Sequence, residues 1–183
     1  MIVSLQEHDL RLSELVNLAT EIWREHYESI IGQEQVDYML EKFQSAKAIA
    51  EQMRDGYQYF LIYRETMLVG YFSFKPTAEC LFLSKFYVKK LERGHGHGRR
   101  VIHFLCDQAK SFSLSKIQLT VNKKNAASLA AYDHLGFQNI RSVVNDIGHG
   151  YVMDDFVLEL PVATPASTAI SDLIFSEQAI HQT

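Results

Sequence analysis

The run Arg93-Gly94-His95-Gly96-His97-Gly98-Arg99-Arg100 sets three alternating glycines among three arginines. A chain that lacks side chains at alternate positions can bring its N–H groups close to an anion, and a helix starting just after it adds the positive end of its dipole. The chemistry implied is pyrophosphate binding. Two nucleotide motifs are excluded by spacing. The glycines do not follow the Gly-x-Gly-x-x-Gly dinucleotide pattern, and no Gly-Lys-Ser/Thr follows to make a P-loop. On these residues alone an ordinary tight loop remains the alternative. Local charge supports the anion reading, because Lys89, Lys90, Arg93, Arg99 and Arg100 face one nearby acid, Glu92.

The elements around the loop are those needed to position it. Residues 81–88 read as a largely buried strand, and Val101, Ile102, Leu105, Cys106 and Ala109 then recur at helical spacing. Further upstream, Leu12, Leu15, Leu18, Ala19, Ile22 and Trp23 define a helical face that Gly32 ends or interrupts. Helices are predicted over 34–43 and 46–55, the latter with Ser45 as N-cap and Gly56 as its stop. Residues 2–5 form a short first strand, and 57–63 and 67–74 read as a hairpin. After the loop and its helix come a strand at 116–121, a helix from Asn125 to Leu135 stopped by Gly136, and strands at 137–144 and 151–160 with a turn at 145–150. This alternation implies a mixed sheet with helices on both faces.

Composition bounds the possibilities. A chain of 183 residues with 47% hydrophobic content is expected to form one domain with a sizeable core. The net charge of -4 and pI of about 6.0 argue against a general nucleic-acid partner. Cys80 and Cys106 lack partners at metal or redox spacing and are expected to be reduced and buried. No secretory signal or membrane-length apolar run is seen, so neither a membrane partner nor an address outside the cytoplasm is expected. Residues 1–160 are read as the domain and 161–183 as an appended tail.

Arg93-x-x-Gly96-x-Gly98, after a strand ending Phe86-Tyr87-Val88, resembles the acyl-CoA loop of the Gcn5-related N-acetyltransferase (GNAT) family. The segment from Asn125 through Tyr132 to Leu135-Gly136-Phe137 is similar to a second block of that family, with asparagine and tyrosine seven apart. Two motifs in the right order, with a strand between them, strengthen each other. The resemblance covers about residues 58–160. The N-terminal helices, from Trp23 to Leu40, more loosely resemble those of bacterial members that acetylate polyamines. The family implies an α/β (α+β) fold, with a mixed, mostly antiparallel sheet of about six to seven strands flanked by helices on both faces.

The resemblance also implies acetyl-CoA as cosubstrate and no metal. Backbone groups of Phe86, Tyr87 and Val88 would receive the pantetheine arm between splayed strands. The amides of Gly94, His95, Gly96, His97, Gly98 and Arg99 would hold the pyrophosphate, with charge from Arg93 or Arg99. Asn125 would bind pantetheine while capping its helix, and Ser128 joins the same set. Tyr132 would lie near the thioester sulfur as general acid, and the Val88 amide would stabilise the oxyanion. His95 and His97 are loop positions whose amides matter more than their rings. With His103 they make too few ligands for a zinc site.

The expected acceptor is a small primary amine such as a polyamine, with Glu21, Glu25, Glu28, Glu34 and Asp37 as acids suited to a cation. A protein N-terminus or lysine is the alternative acceptor, and a non-catalytic acyl-CoA sensor the alternative class. Thr120 stands where some relatives carry a strand glutamate as base. Glu25, His26 and Tyr27 are the other candidates for that role. The family allows a homodimer.

Overall fold

The apolar stripe of the N-terminal segment becomes the buried side of α1 (Leu12–Ile31), where Leu15, Leu18, Ala19, Ile22 and Trp23 meet the sheet. The computed structural model describes residues 1–163, and the expected tail beyond them lies outside the described residues. Strand β1 (Ile2–Leu5) precedes α1. There follow α2 (Gln33–Met39), α3 (Ala46–Arg54), β2 (Gln58–Arg64), β3 (Met67–Pro76) and β4 (Leu81–Val88). The second half comprises α4 (His97–Ser111), β5 (Lys116–Asn122), α5 (Ala126–His134), β6 (Gln138–Gly148) and β7 (Tyr151–Pro161). The seven strands form one sheet in the order β1-β2-β3-β4-β5-β7-β6, antiparallel everywhere except between β4 and β5. This is the mixed, mostly antiparallel architecture expected from the sequence.

Two cores sandwich the sheet. On one face α4 buries Val101, Leu105 and Ala109 against Phe60, Phe72, Phe74, Ile117 and Leu119. On the other, α1 and α3 bury Leu15, Leu18, Ile22 and Ile49 against Tyr59, Leu61 and Tyr71. Period-2 alternation explains how β2 and β3 each feed both cores.

Local departures from the sequence reading are informative. The helix expected to reach 43 ends at Met39 and continues as a π-helical turn, Leu40–Gln44, which redirects Phe43 and Gln44. Strand β6 runs on to Gly148, because the Asp146 carboxylate accepts the Gly148 N–H (2.7 Å) instead of opening a turn. The reversal is confined to His149 and Gly150, both left-handed, as a two-residue hairpin turn requires. At the other end, Pro161 belongs to β7, and Val162 is buried with its N–H on the Ser115 carbonyl (2.8 Å). Both cysteines are free, yet only Cys80 is buried; Cys106 is half-exposed on α4 because its helical position turns it to the rim of the core.

The feature that creates a site is the parting of β4 from β5. Only Leu81↔Ile117 and Phe82↔Gln118 are paired, and beyond them the parallel strands diverge. Opposite β3, Ser73 faces Lys85 while Phe74 faces Leu83, so Ser84 is an extra residue in β4. Such a bulge bends and twists its strand. On its other side β4 is held close to β3: a Cβ on Gly70 would stand 2.6 Å from the Tyr87 carbonyl oxygen. Gly70→Ala therefore forces the strands apart and is expected to cost about 1–3 kcal/mol in chemical denaturation. Parental stability would show that β3 can shift freely.

Candidate active site

The glycine run divides into two uses. Gly94 and Gly96 adopt left-handed φ values of 81° and 80°, which makes the sharp entry into α4 possible. Gly98 lies instead in the first turn of the helix, where an added Cβ would meet Leu135 (3.4 Å) and Phe86 (3.9 Å). The first backbone bond of the helix runs from the Arg100 N–H to the Gly96 carbonyl (3.1 Å). The N–H groups of His97, Gly98 and Arg99 precede it and so have no intrahelical acceptor. Left-handed glycines followed by free amides at a helix start make a cradle of donors of the kind that suits an anion such as a diphosphate.

Arg99 is exposed beside that cradle. Arg93 serves the scaffold, its Nε donating to the Val88 carbonyl (3.2 Å) and so fixing the end of β4. The His95 side chain is exposed, as expected of a loop position. His97 departs from expectation: it opens α4, and its ring is buried 3.6 Å from Glu92, which also pairs with Arg64 (2.9 Å). Helical geometry turns this ring inward. Burial lowers its pKa and favours the neutral imidazole. Among the described residues, no group of three or more His, Cys, Asp or Glu could hold a metal.

Behind the loop a cavity of about 530 Å³ runs between α4 and α5, lined by Val88, Gly96, Gly98, Arg99, Ala131 and Leu135 among others. A second cavity, of about 210 Å³, opens on the α1 face of the parted strands. Tyr27, Phe86, Tyr87, Ser128 and Tyr132 line both, so the two meet at the gap in the sheet. Asn125 caps α5, its Oδ1 accepting the Ser128 N–H (3.2 Å), while its Nδ2 approaches the Tyr27 hydroxyl (3.5 Å). Tyr132 packs edge-on against Phe137, with ring centroids 5.4 Å apart. Burial, reinforced by Tyr27, pushes its phenol above the usual tyrosine range. It therefore stays protonated at neutral pH and holds a proton to give.

The candidate bases separate clearly. Glu25 is exposed and lines neither cavity, and His26 lines only the loop side. Tyr27 lies at the junction, but burial pushes its phenol up to about 12, so it is protonated when a base is needed. Thr120 lines the α1-side cavity, as does Asp155, which the sequence reading missed. Asp155 pairs with Asn122 across β5 and β7, two residues along from the Thr120–Val157 pair and on the same face of the sheet. It is 3% exposed, and its Oδ1 has no hydrogen-bond partner among the described residues. The available signal was an acid at the same strand register as Val157, on the side of β7 that turns inward.

Among the described residues, Asp155 is the only carboxylate lining this cavity; the acids expected to favour a polycation lie elsewhere. Glu21 pairs with Lys89 (3.0 Å), and Glu28 and Asp37 pair with Arg24 (3.1 and 2.8 Å). Trp23 and Phe43 instead give the wall an aromatic character.

The family model described as the acetyltransferase (GNAT) family matches residues 14–137. No curated protein matches this sequence. Among solved structures, the PaiA N-acetyltransferase from Thermoplasma acidophilum, in complex with coenzyme A, superposes with a TM-score of 0.72 at 19% identity. The match covers 88% of this chain and 98% of that one. The ribosomal-protein-S18-alanine N-acetyltransferase from Escherichia coli gives 0.63 at 18% identity, covering 92% and 97%. The ribosomal-protein-alanine N-acetyltransferase from Brucella melitensis gives 0.62 at 21% identity, covering 88% and 99%. At these identities the likeness shows the fold.

Proposed function

The chain belongs to the GNAT acetyltransferase family and is an acyltransferase that uses acetyl-CoA; from that premise we propose that it acetylates a small primary amine by direct attack in a ternary complex. The observation that carries this reading is the meeting of two cavities at the parted strands, one backed by a diphosphate cradle and the other enclosed by α1 and β7. An acetyl thioester bound along the first cavity supplies the group to be transferred. The amides of His97, Gly98 and Arg99 hold its diphosphate, and backbone groups of Phe86, Tyr87 and Val88 hold the arm that reaches the gap. Asn125 and Ser128 line the opposite side of that gap.

In this scheme the Val88 amide donates to the carbonyl oxygen as negative charge develops, a contribution of roughly 3–4 kcal/mol for a preorganised donor. Tyr132 gives its proton to the departing sulfur. An amine with a pKa of about 10.4 arrives protonated at neutral pH, so transfer also requires a proton acceptor. Two structural neighbours act on ribosomal-protein alanine, which makes a protein N-terminus the second reading of the acceptor.

Thiol release measured across monoamines, polyamines, amino acids and peptides tests the proposal. Turnover is expected with a small amine at rates above those with peptides. Preference for an N-terminal peptide would select the second reading. Tight acetyl-CoA binding without turnover on any acceptor would make the protein a sensor.

A further inference from the structure

We propose that Asp155 anchors the acceptor's ammonium group and takes its proton, and that this single carboxylate selects primary amines carrying one positive charge. The proposal rests on the acetyl-transfer reading. Its geometric basis is the strand register: Asn122↔Asp155 lies two residues along from Thr120↔Val157 and so on the same face of the sheet, which sets the carboxylate diagonally across from the position at which some relatives carry their glutamate. Thr120 and Asp155 line the same cavity.

Among the described residues no lysine or arginine is paired with Asp155, and burial lowers the pKa of Lys85, the one basic side chain in the same lining, to about 7. Tyr27 faces the cavity from α1, Lys85 and Tyr87 from β4, Thr120 from β5 and Tyr132 from α5. Lys123 is paired with Asp154, and the Lys85 ammonium donates to Gln52 beside the Tyr59 ring (5.4 Å). A buried carboxylate oxygen left without a donor is costly, which suits a site completed by an incoming ammonium. Burial and the adjacent Asp154 raise the Asp155 carboxyl to about 6, against weaker opposing effects of Thr120 and Lys123. At neutral pH it is ionised, yet more basic than an ordinary aspartate.

The atoms balance simply. One ammonium proton passes to Asp155, and the freed nitrogen lone pair forms the C–N bond. As the C–S bond breaks, sulfur takes the Tyr132 proton. The second nitrogen proton restores Tyr132, and Asp155 returns its own to solvent. Charge selection follows from the remaining wall. It combines apolar Ile31, Met39, Phe43 and Met153 with the uncharged Gln44, Ser84 and Asn122 and the basic Lys85, so a second ammonium would lose water there without gaining a carboxylate.

Butylamine and putrescine, which share a four-carbon chain and differ by one terminal ammonium, test this directly. For the parent, kcat/KM is expected to be at least about tenfold higher with butylamine. Its kcat/KM should rise with pH through about 6 and then level. Asp155→Asn should lower kcat by about 100-fold or more and leave calorimetric acetyl-CoA affinity unchanged. Its remaining rate should keep climbing toward the amine's own pKa of about 10.4. Equal use of putrescine would overturn the charge selection, and a parental rate and profile in Asp155→Asn would overturn the proton transfer.

If neither amine releases thiol, the acetyl-transfer reading fails separately. Trp23, the only tryptophan of the chain, lines the cavity and still reports binding. A saturable butylamine signal that weakens about tenfold on acidification through pH 6 supports the anchor. Its absence, or indifference to pH, overturns it. The parent protein suffices for this titration should the variant fail to fold.

Discussion

Gly98→Glu is expected to abolish acetyl-CoA binding, weakening it by at least about 100-fold, or roughly 2.7 kcal/mol. The reason lies in where the new side chain must go. Gly98 is in the first turn of α4 with a helical conformation, so the backbone accepts a side chain there. Its Cβ would point toward Leu135 and Phe86, across the cleft that lies behind the loop. The carboxylate would then compete for the free amides of the helix start and repel a diphosphate. Gly96→Ala provides a contrast: open space surrounds its Cβ, but the left-handed φ of 80° costs about 1–2 kcal/mol in stability. Calorimetry and thermal denaturation together separate the two positions. Acetyl-CoA binding by Gly98→Glu at parental affinity would remove the diphosphate cradle from the account.

Tyr132→Phe is expected to lower kcat by about 100-fold or more while changing acetyl-CoA affinity little. The phenyl ring can keep the edge-on contact with Phe137, so packing survives the change. What disappears is the proton donor at the junction of the two cavities. Because burial holds the phenol above its ordinary range, it is protonated throughout the neutral region. The defect should therefore vary little with pH between about 6 and 9, unlike the Asp155→Asn defect. Single-turnover thiol release measures it. A parental rate would clear Tyr132 of the acid role, and a large loss of affinity would make it a binding residue.

The geometry of the glycine loop was legible because its determinants are local. Gly94, Gly96 and Gly98 specify which positions can turn left-handed or approach a neighbour closely, and the amides they expose lie in one contiguous segment. Asn125 as an N-cap, likewise, is a property of a few residues. The mixed sheet was readable from alternation of apolar positions, which reports burial without needing to know the partner strand.

The α1-side cavity depended on relationships absent from any single segment. Asp155 and Thr120 are 35 residues apart in the chain, by their numbers, and become neighbours only through the β5–β7 register. A one-residue slip would turn Asp155 to the other face. The π-helical turn that brings Phe43 and Gln44 to the cavity, and the Ser84 bulge that bends β4, are local conformations selected by packing. Sequence alone thus determined where the left-handed glycines and free amides of the loop fall, because backbone conformation and amide exposure are short-range properties. Tertiary structure decided which acid lines the α1-side cavity, since burial and strand register are set by the whole sheet.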